Sequence, residues 1–227
     1  MNDYSAPLQA KREALLQAGV LMMDPAAVYV EDQVEVGAGT LLLPGTILRG
    51  KTVIGANCCI GPQVMLTGCT VGDGCTINTS QCEESVIERD CQIGPYTHIR
   101  PHCTVGEGSK IGAFVQLKNC SLGKGTKMAH LTYVGDSDVG DNCNFGCGTI
   151  TCNYDGFQKH RTTIGSRVFV GCNTNFVPPV TVGDGAFIAA ATTVTQDVPP
   201  DAMAVGRARQ EIKEGWAREN RRKKGGK

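Results

Sequence analysis

The sequence predicts an all-β fold in which short parallel strands wind into a stacked solenoid. Three observations predict it: a large apolar residue recurs every six positions, glycine usually follows it, and a small residue stands two places before it. The large residues run Val36, Leu42, Leu48, Ile54, Ile60 and Leu66, then resume after a five-residue step at Val71 and Ile77. They continue at Ile87, Ile93, Ile99, Val105, Ile111 and Leu117, step to Leu122, Met128 and Val134, and then to Val139 and Phe145. A last frame holds Ile164, Val170, Phe176, Val182, Ile188 and Val194. A period of six fits neither a helix at 3.6 nor a long strand at 2. It fits short strands joined by sharp corners, and such units bury their apolar faces only by stacking. With three faces per coil, residues about 18 apart become neighbours on strands roughly 4.8 Å apart, which gives about nine coils. The competing arrangement is a β-sandwich with Gly-rich turns. Spacing alone leaves the hand of the coil open, and the general crossover rule favours right-handed.

Three segments follow in order. Residues 1–24 hold a short helix and linker. Within them residues 5–18 are helical, with Ser5 as cap, Pro7 in the first turn and Leu8, Leu15 and Leu16 as the apolar stripe. Asp24-Pro25 ends the helical tendency. Residues 25–205 are the repeat. Its corners, such as Gly72-Asp73-Gly74 and Gly183-Asp184-Gly185, use residues that tolerate positive φ. Residues 206–227 form an arm or helix from Gln210 to about Arg218, and then a basic run that reads as a solvated disordered tail.

Composition narrows the function. The 22 basic and 22 acidic residues balance, so no basic face marks the chain for nucleic acid. The apolar runs fall far short of the roughly 20 residues that span a bilayer, and the charged N-terminus lacks a signal-peptide core. A cytoplasmic protein without a membrane partner is expected. Among the twelve cysteines, Cys58, Cys69, Cys75, Cys91, Cys103, Cys120 and Cys143 occupy the small-residue position. Elsewhere that position holds Ser85, Ser109, Thr52, Thr162, Val34 or Ala186, so the site selects size rather than thiol chemistry. A disulfide framework is therefore not expected, and without paired C-x-x-C knuckles neither is zinc.

The regular pattern slips across His130–Gly156, HLTYVGDSDVGDNCNFGCGTITCNYDG, where a histidine and polar side chains gather. A scaffold that breaks register around a histidine and a loop is a candidate active site. The step from Phe145 to Ile164 is 19 residues, one more than a regular coil, and predicts that the loop CNYDGFQKHRT leaves the prism.

Units such as Ile54-Gly55-Ala56-Asn57-Cys58-Cys59 and Val71-Gly72-Asp73-Gly74-Cys75-Thr76 resemble the repeat of the left-handed parallel β-helix acyltransferases, the hexapeptide-repeat family. The segments IRPHCTVGEGSKIGAFVQLKN, KMAHLTYVGDSDVGDNCNFGCGTITCNYDG and VGRARQEIKEGWAR resemble, more narrowly, one acetyltransferase family. It is the acetyltransferase half of the bacterial bifunctional N-acetylglucosamine-1-phosphate uridyltransferases/glucosamine-1-phosphate N-acetyltransferases. The resemblance implies a left-handed coil, a homotrimer with active sites between subunits, and acetyl transfer from acetyl-CoA to glucosamine 1-phosphate for cell-wall precursors, without a metal. The uridyltransferase half is missing, so the chain is expected to be a fragment of a longer enzyme or a stand-alone acetyltransferase.

On that resemblance His130 is the general base, a role that suits histidine as a residue type because an unperturbed imidazole titrates near working pH. Arg100, Lys118 and Lys159 match the cations around the sugar phosphate, and Tyr133 and Asn144 match sugar-contacting positions. Cys147, Asn153, Tyr154, Cys172, Ala190 and Arg207 match the acetyl-CoA positions, and Lys213 and Trp216 match the arm that closes over it. The family usually has alanine at Cys147, serine at Cys172 and Val-Pro at Ala208-Arg209. A thiol donates more weakly than a hydroxyl, so a side-chain contact at Cys172 would weaken. His98, His102 and His160 have no comparable setting and read as exposed or structural. Two other functions compete. A trimeric zinc hydratase of the carbonic anhydrase kind needs three converging histidines, and His98, His102 and His130 lack that spacing. A non-catalytic scaffold would have no use for the HLTY, NYDG and basic residues together.

Overall fold

A computed structural model describes residues 5–225, and side chains from Leu8 onward. Pro7 lies in the first turn of the N-terminal helix, as expected, while the Ser5 cap, residues 1–4 and the last two residues fall outside what is described. Helix α1 (Ser5–Gln17) is followed by 28 short strands, every paired neighbour being parallel, and by helix α2 (Trp216–Lys223). One face is an eleven-stranded sheet that steps through ten coils from Leu21–Met22 to Met203–Ala204. This is the predicted parallel β-solenoid, one coil longer than the period suggested.

The large residues of the repeat point inward: Leu42, Leu48, Ile60, Leu66, Ile77, Ile87, Ile99 and Leu117 are fully buried and stack rung on rung. Cys82 fills one of these large positions, since it pairs with Leu66 and Ile99 on either side. The seven cysteines at the small position are all buried, and all twelve thiols are free. The structure adds a reason for the exchange of Cys, Ser and Thr there. Cys58 Sγ donates to Gly72 O (3.2 Å), Cys75 Sγ to Glu88 O (3.0 Å), Ser109 Oγ to Gly123 O (3.2 Å) and Thr126 Oγ1 to Gly140 O (3.0 Å). Each is a short side chain with one donor, aimed at a corner carbonyl of the next coil that would otherwise be short of a partner.

Three expectations need correction. Ile164 does not lie beneath Phe145; it pairs with Val139, and Phe145 pairs with Val170. Along the eleven-stranded face the partners Lys127, Asn144, Phe169 and Phe187 are 17, 25 and 18 residues apart. The loop therefore inserts about seven residues into one coil, rather than one. At the C-terminus, Gln210–Gly215 is not helical, and α2 covers part of the segment read as tail. Gly215 in the left-handed region (φ 73°) starts it, with Glu219 in its first turn and Arg221, Arg222 and Lys223 in its last, charges that suit the helix dipole. In α1, Leu15 is buried in the core but Leu16 stays exposed, so the stripe is narrower than predicted.

Candidate functional site

The irregular coil begins at the strand Lys127–His130, turns a corner at Leu131 (φ 44°) and continues as the strand Tyr133–Val139. His130 thus ends one face and Tyr133 starts the next. Ala113 pairs with His130, and Met128 with Phe145, so Cys147 lies one rung beyond His130. The same register continues through Phe169 and Phe187, which aligns Cys172 and Ala190 on the following rungs. His130, Cys147, Cys172 and Ala190 form a line along one corner, about 4.8 Å apart per rung. His130, Cys172 and Ala190 are exposed and Cys147 is half-buried, so the line is an open track floored by small side chains. Arg207 follows where the chain leaves the last rung, with Gly206 N donating to Thr192 Oγ1 (3.2 Å). Arg207, Lys213 and Trp216 are exposed.

Around the corner, cations gather. Arg100 N donates to Leu117 O (2.9 Å) and Lys118 pairs with Gly135, which sets Arg100 and Lys118 on adjacent strands. Lys159 reaches the same place from the inserted loop. Its ammonium beside Lys118, together with partial burial and Arg100, lowers the pKa of Lys118, while Asp136 opposes the shift. Two amines that disfavour each other's charge are a ready receptor for a doubly charged anion. The Tyr133 hydroxyl and the Asn153 amide lie over Gly135, too close for any Cβ at that residue.

The inserted loop is held at both ends by the strand Tyr133–Val139. At its departure, Asn153 Nδ2 donates to Asp136 Oδ2, and Asn119 Nδ2 donates to Asp136 Oδ1 (2.6 Å). At its return, Arg161 forks onto Asp138, Nε to Oδ2 (2.5 Å) and Nη2 to Oδ1 (2.6 Å), while Ser121 Oγ donates to Asp138 Oδ1 (2.8 Å). Between them Asp155 Oδ1 accepts from Phe157 N and Gln158 N (both 2.8 Å), and Asp155 Oδ2 lies 2.7 Å from His160 Nε2. The two N–H groups, Gln158 foremost, and His160 pull the Asp155 pKa down to about 2. The Arg161 fork likewise holds the Asp138 carboxyl below its usual range.

The sequence-derived residues therefore divide into groups. Arg100, Lys118, Tyr133 and Lys159 share one face, and Asn153 and Tyr154 sit with them. His130, Cys147, Cys172 and Ala190 share the corner. Asn144 is on the eleven-stranded face, away from the cations on the same chain. Asn153 was matched to acetyl-CoA, but its amide is buried and engaged by Asp136. His160 is not free either, since Asp155 holds it. Sequence reasoning missed Asp136, Asp138, Asn119 and Arg161. No signal in the repeat singled them out, because Gly135-Asp136-Ser137-Asp138 reads as an ordinary corner between Val134 and Val139. Among the described residues no group of three His, Cys, Asp or Glu side chains is arranged to hold a metal, and no helix is long and apolar enough to cross a membrane.

This coil, with its corner track and cationic face, interrupts a run of regular six-residue repeats. The bacterial transferase hexapeptide (six repeats) family matches residues 33–68, 84–119 and 161–196, so the chain carries a hexapeptide-repeat domain. The chain is similar to the bifunctional protein GlmU of several bacteria. That of Brevibacillus brevis is 48% identical over 208 residues, covering 92% of this chain and 45% of the relative. Those of Thermoanaerobacter pseudethanolicus (50% over 208 residues, 92% and 46%) and Caldanaerobacter subterraneus subsp. tengcongensis (49% over 213 residues, 94% and 46%) are alike. The chain spans a little under half the length of these relatives.

Proposed function

We propose that the protein is a glucosamine-1-phosphate N-acetyltransferase, working in the cytoplasm as a homotrimer with active sites between subunits, and supplying N-acetylglucosamine 1-phosphate for cell-wall precursors. The similarity to GlmU proteins supports the reaction class. The observation that carries the reading is the junction of two features at one corner. A track of small side chains leads to His130, and the Arg100, Lys118 and Lys159 cluster lies just around the corner, beside the strand Tyr133–Val139.

The roles follow from the chemistry. The phosphate of the acceptor binds the three cations, which fixes the sugar and brings its amine to the His130 imidazole. Acetyl-CoA, the co-substrate, lies along Cys147, Cys172 and Ala190, with Arg207, Lys213 and Trp216 suited to its phosphorylated adenine nucleotide. The amine nitrogen attacks the thioester carbonyl, and His130 accepts the proton that this nitrogen sheds. The tetrahedral intermediate then collapses, the C–S bond breaks, and the imidazolium returns its proton to the departing thiolate. Asn144 and the cations face away from each other on one chain. Apposition of two copies would unite them, which supports the trimer.

A thiol-release assay with acetyl-CoA and a panel of amino-sugar phosphates tests the reaction. Glucosamine 1-phosphate is expected to release thiol fastest, and release with none of the panel removes the proposal. His130→Ala is expected to lower turnover roughly 10²–10⁴-fold with little change in acetyl-CoA affinity. Near-normal turnover in that variant would exclude His130 as the base.

A further inference from the structure

Asp136 is absent from every expectation drawn from the motifs, yet it joins the two halves of the site. It is 7% exposed and lies in the left-handed region (φ 47°), a costly conformation that its short side chain tolerates through local bonding. One carboxylate oxygen accepts from Asn119, the other from Asn153. The groups around it come from three elements: Lys118 and Asn119 from the strand Gln116–Leu122, Asn153 and Lys159 from the inserted loop, and Arg161 from the loop's return. Arg161 itself is committed to Asp138. Burial works against the charge of Asp136, but the two amides and the two lysines outweigh it and keep the carboxyl below its usual range.

We propose that Asp136 is a positioning residue that ties the inserted loop to the phosphate cluster and sets a negative charge beside Lys118 and Lys159. The proposal rests on the acetyl-transfer reading for its kinetic arm. A buried carboxylate bonded to two amides cannot turn away, so Asn153 and the loop that follows it are held in register with Lys118. Its negative charge also offsets the repulsion between Lys118, Lys159 and Arg100, the three cations that face one another there. Removing that charge lets Lys118 lose its proton at lower pH. Anion binding then fails earlier as the pH rises.

The test compares Asp136→Asn with Asp138→Asn in the full chain. Both variants remove one carboxylate that anchors the loop, but only the first carboxylate neighbours Lys118. For Asp136→Asn, KM for glucosamine 1-phosphate is expected to rise about tenfold and kcat to change less than about threefold. The alkaline limb of its kcat/KM should move down by about one pH unit. Asp138→Asn is expected to raise KM without moving that limb. Equal limbs in both variants, or wild-type KM in Asp136→Asn, would overturn the proposal. Should Asp136→Asn not fold, Asp136→Glu keeps the charge but displaces the amides. It is expected to raise KM with the limb in place, and a moved limb there would count against the proposal. Calorimetric titration with inorganic phosphate from pH 7 to 10 is an arm independent of catalysis. If no amino-sugar phosphate is acetylated but phosphate binding shows the same pH difference, the functional reading fails and the role of Asp136 stands.

Discussion

Gly146→Ala tests whether the spacing of two rungs governs the acyl-donor track. A Cβ on Gly146 would stand 2.5 Å from Cys172 N and 2.8 Å from Gly171 C, roughly 1 Å inside ordinary contact. Both neighbours are backbone, so no side chain can swing aside. The rungs are also pinned, because Gly146 N donates to Val170 O and Asn173 N donates to Cys147 O, both at 2.7 Å. Overpacking of this kind costs about 2 kcal/mol. For a chain of this size that lowers the melting temperature by about 4–8 °C. The displaced atoms include Cys172, so acetyl-CoA affinity should fall as well. Gly108→Ala is the control: a Cβ there meets nothing within 4 Å, and only the φ of +68° penalises it, by about 1 kcal/mol. Thermal unfolding by circular dichroism and acetyl-CoA titration by calorimetry read both quantities. Wild-type melting and affinity in Gly146→Ala would refute the reasoning, as would equal loss of affinity in Gly108→Ala.

Two further outcomes follow from charge and exposure. Lys118→Met removes one of two crowded ammonium groups, so the melting temperature at pH 7 should hold or rise while KM for the sugar phosphate increases at least tenfold. The sign is set by the depressed pKa: below it the folded state carries a proton at a cost the unfolded chain does not have, and the cost vanishes as the pH rises through it. In native protein, N-ethylmaleimide should label Cys152 and Cys172, which are exposed, and spare the eight buried thiols. Peptide mapping by mass spectrometry identifies the labelled residues. Inactivation should track Cys172, acetyl-CoA should protect it, and unchanged activity after its complete modification would remove Cys172 from the track.

Much of this was legible from residue spacing. The large and small positions of the repeat gave the stacked coils, because burial at each rung depends on one side chain at a time. Where the coil changes length, spacing misleads: Val139, Phe145, Ile164 and Val170 all look like large positions, and nothing in their order tells that Ile164 sits above Val139 rather than Phe145. Cys82 was passed over because a thiol in a large position looks like a small one. Arg100, Lys118 and Lys159 came only from the resemblance, since a single Lys or Arg on such a coil reads as a solvated face. Asp136 and Asp138 were not legible at all, because Gly135-Asp136-Ser137-Asp138 reads as a corner, while the partners that define their roles, Asn153 and Arg161, lie beyond it in the loop. The arm was misread because no core contact constrains it, and local signals such as Gly215 decide where the helix begins.

The line through His130, Cys147, Cys172 and Ala190 is graduated in whole coils. Its length is set in increments of about 4.8 Å, and a substitution such as Gly146→Ala strains one division without adding or removing any. The protein therefore carries a gauge with fixed divisions, zeroed at an imidazole. Splicing one extra turn into it would leave every local contact of the rod satisfied while placing the thioester of a donor anchored at the far end one division short of the amine.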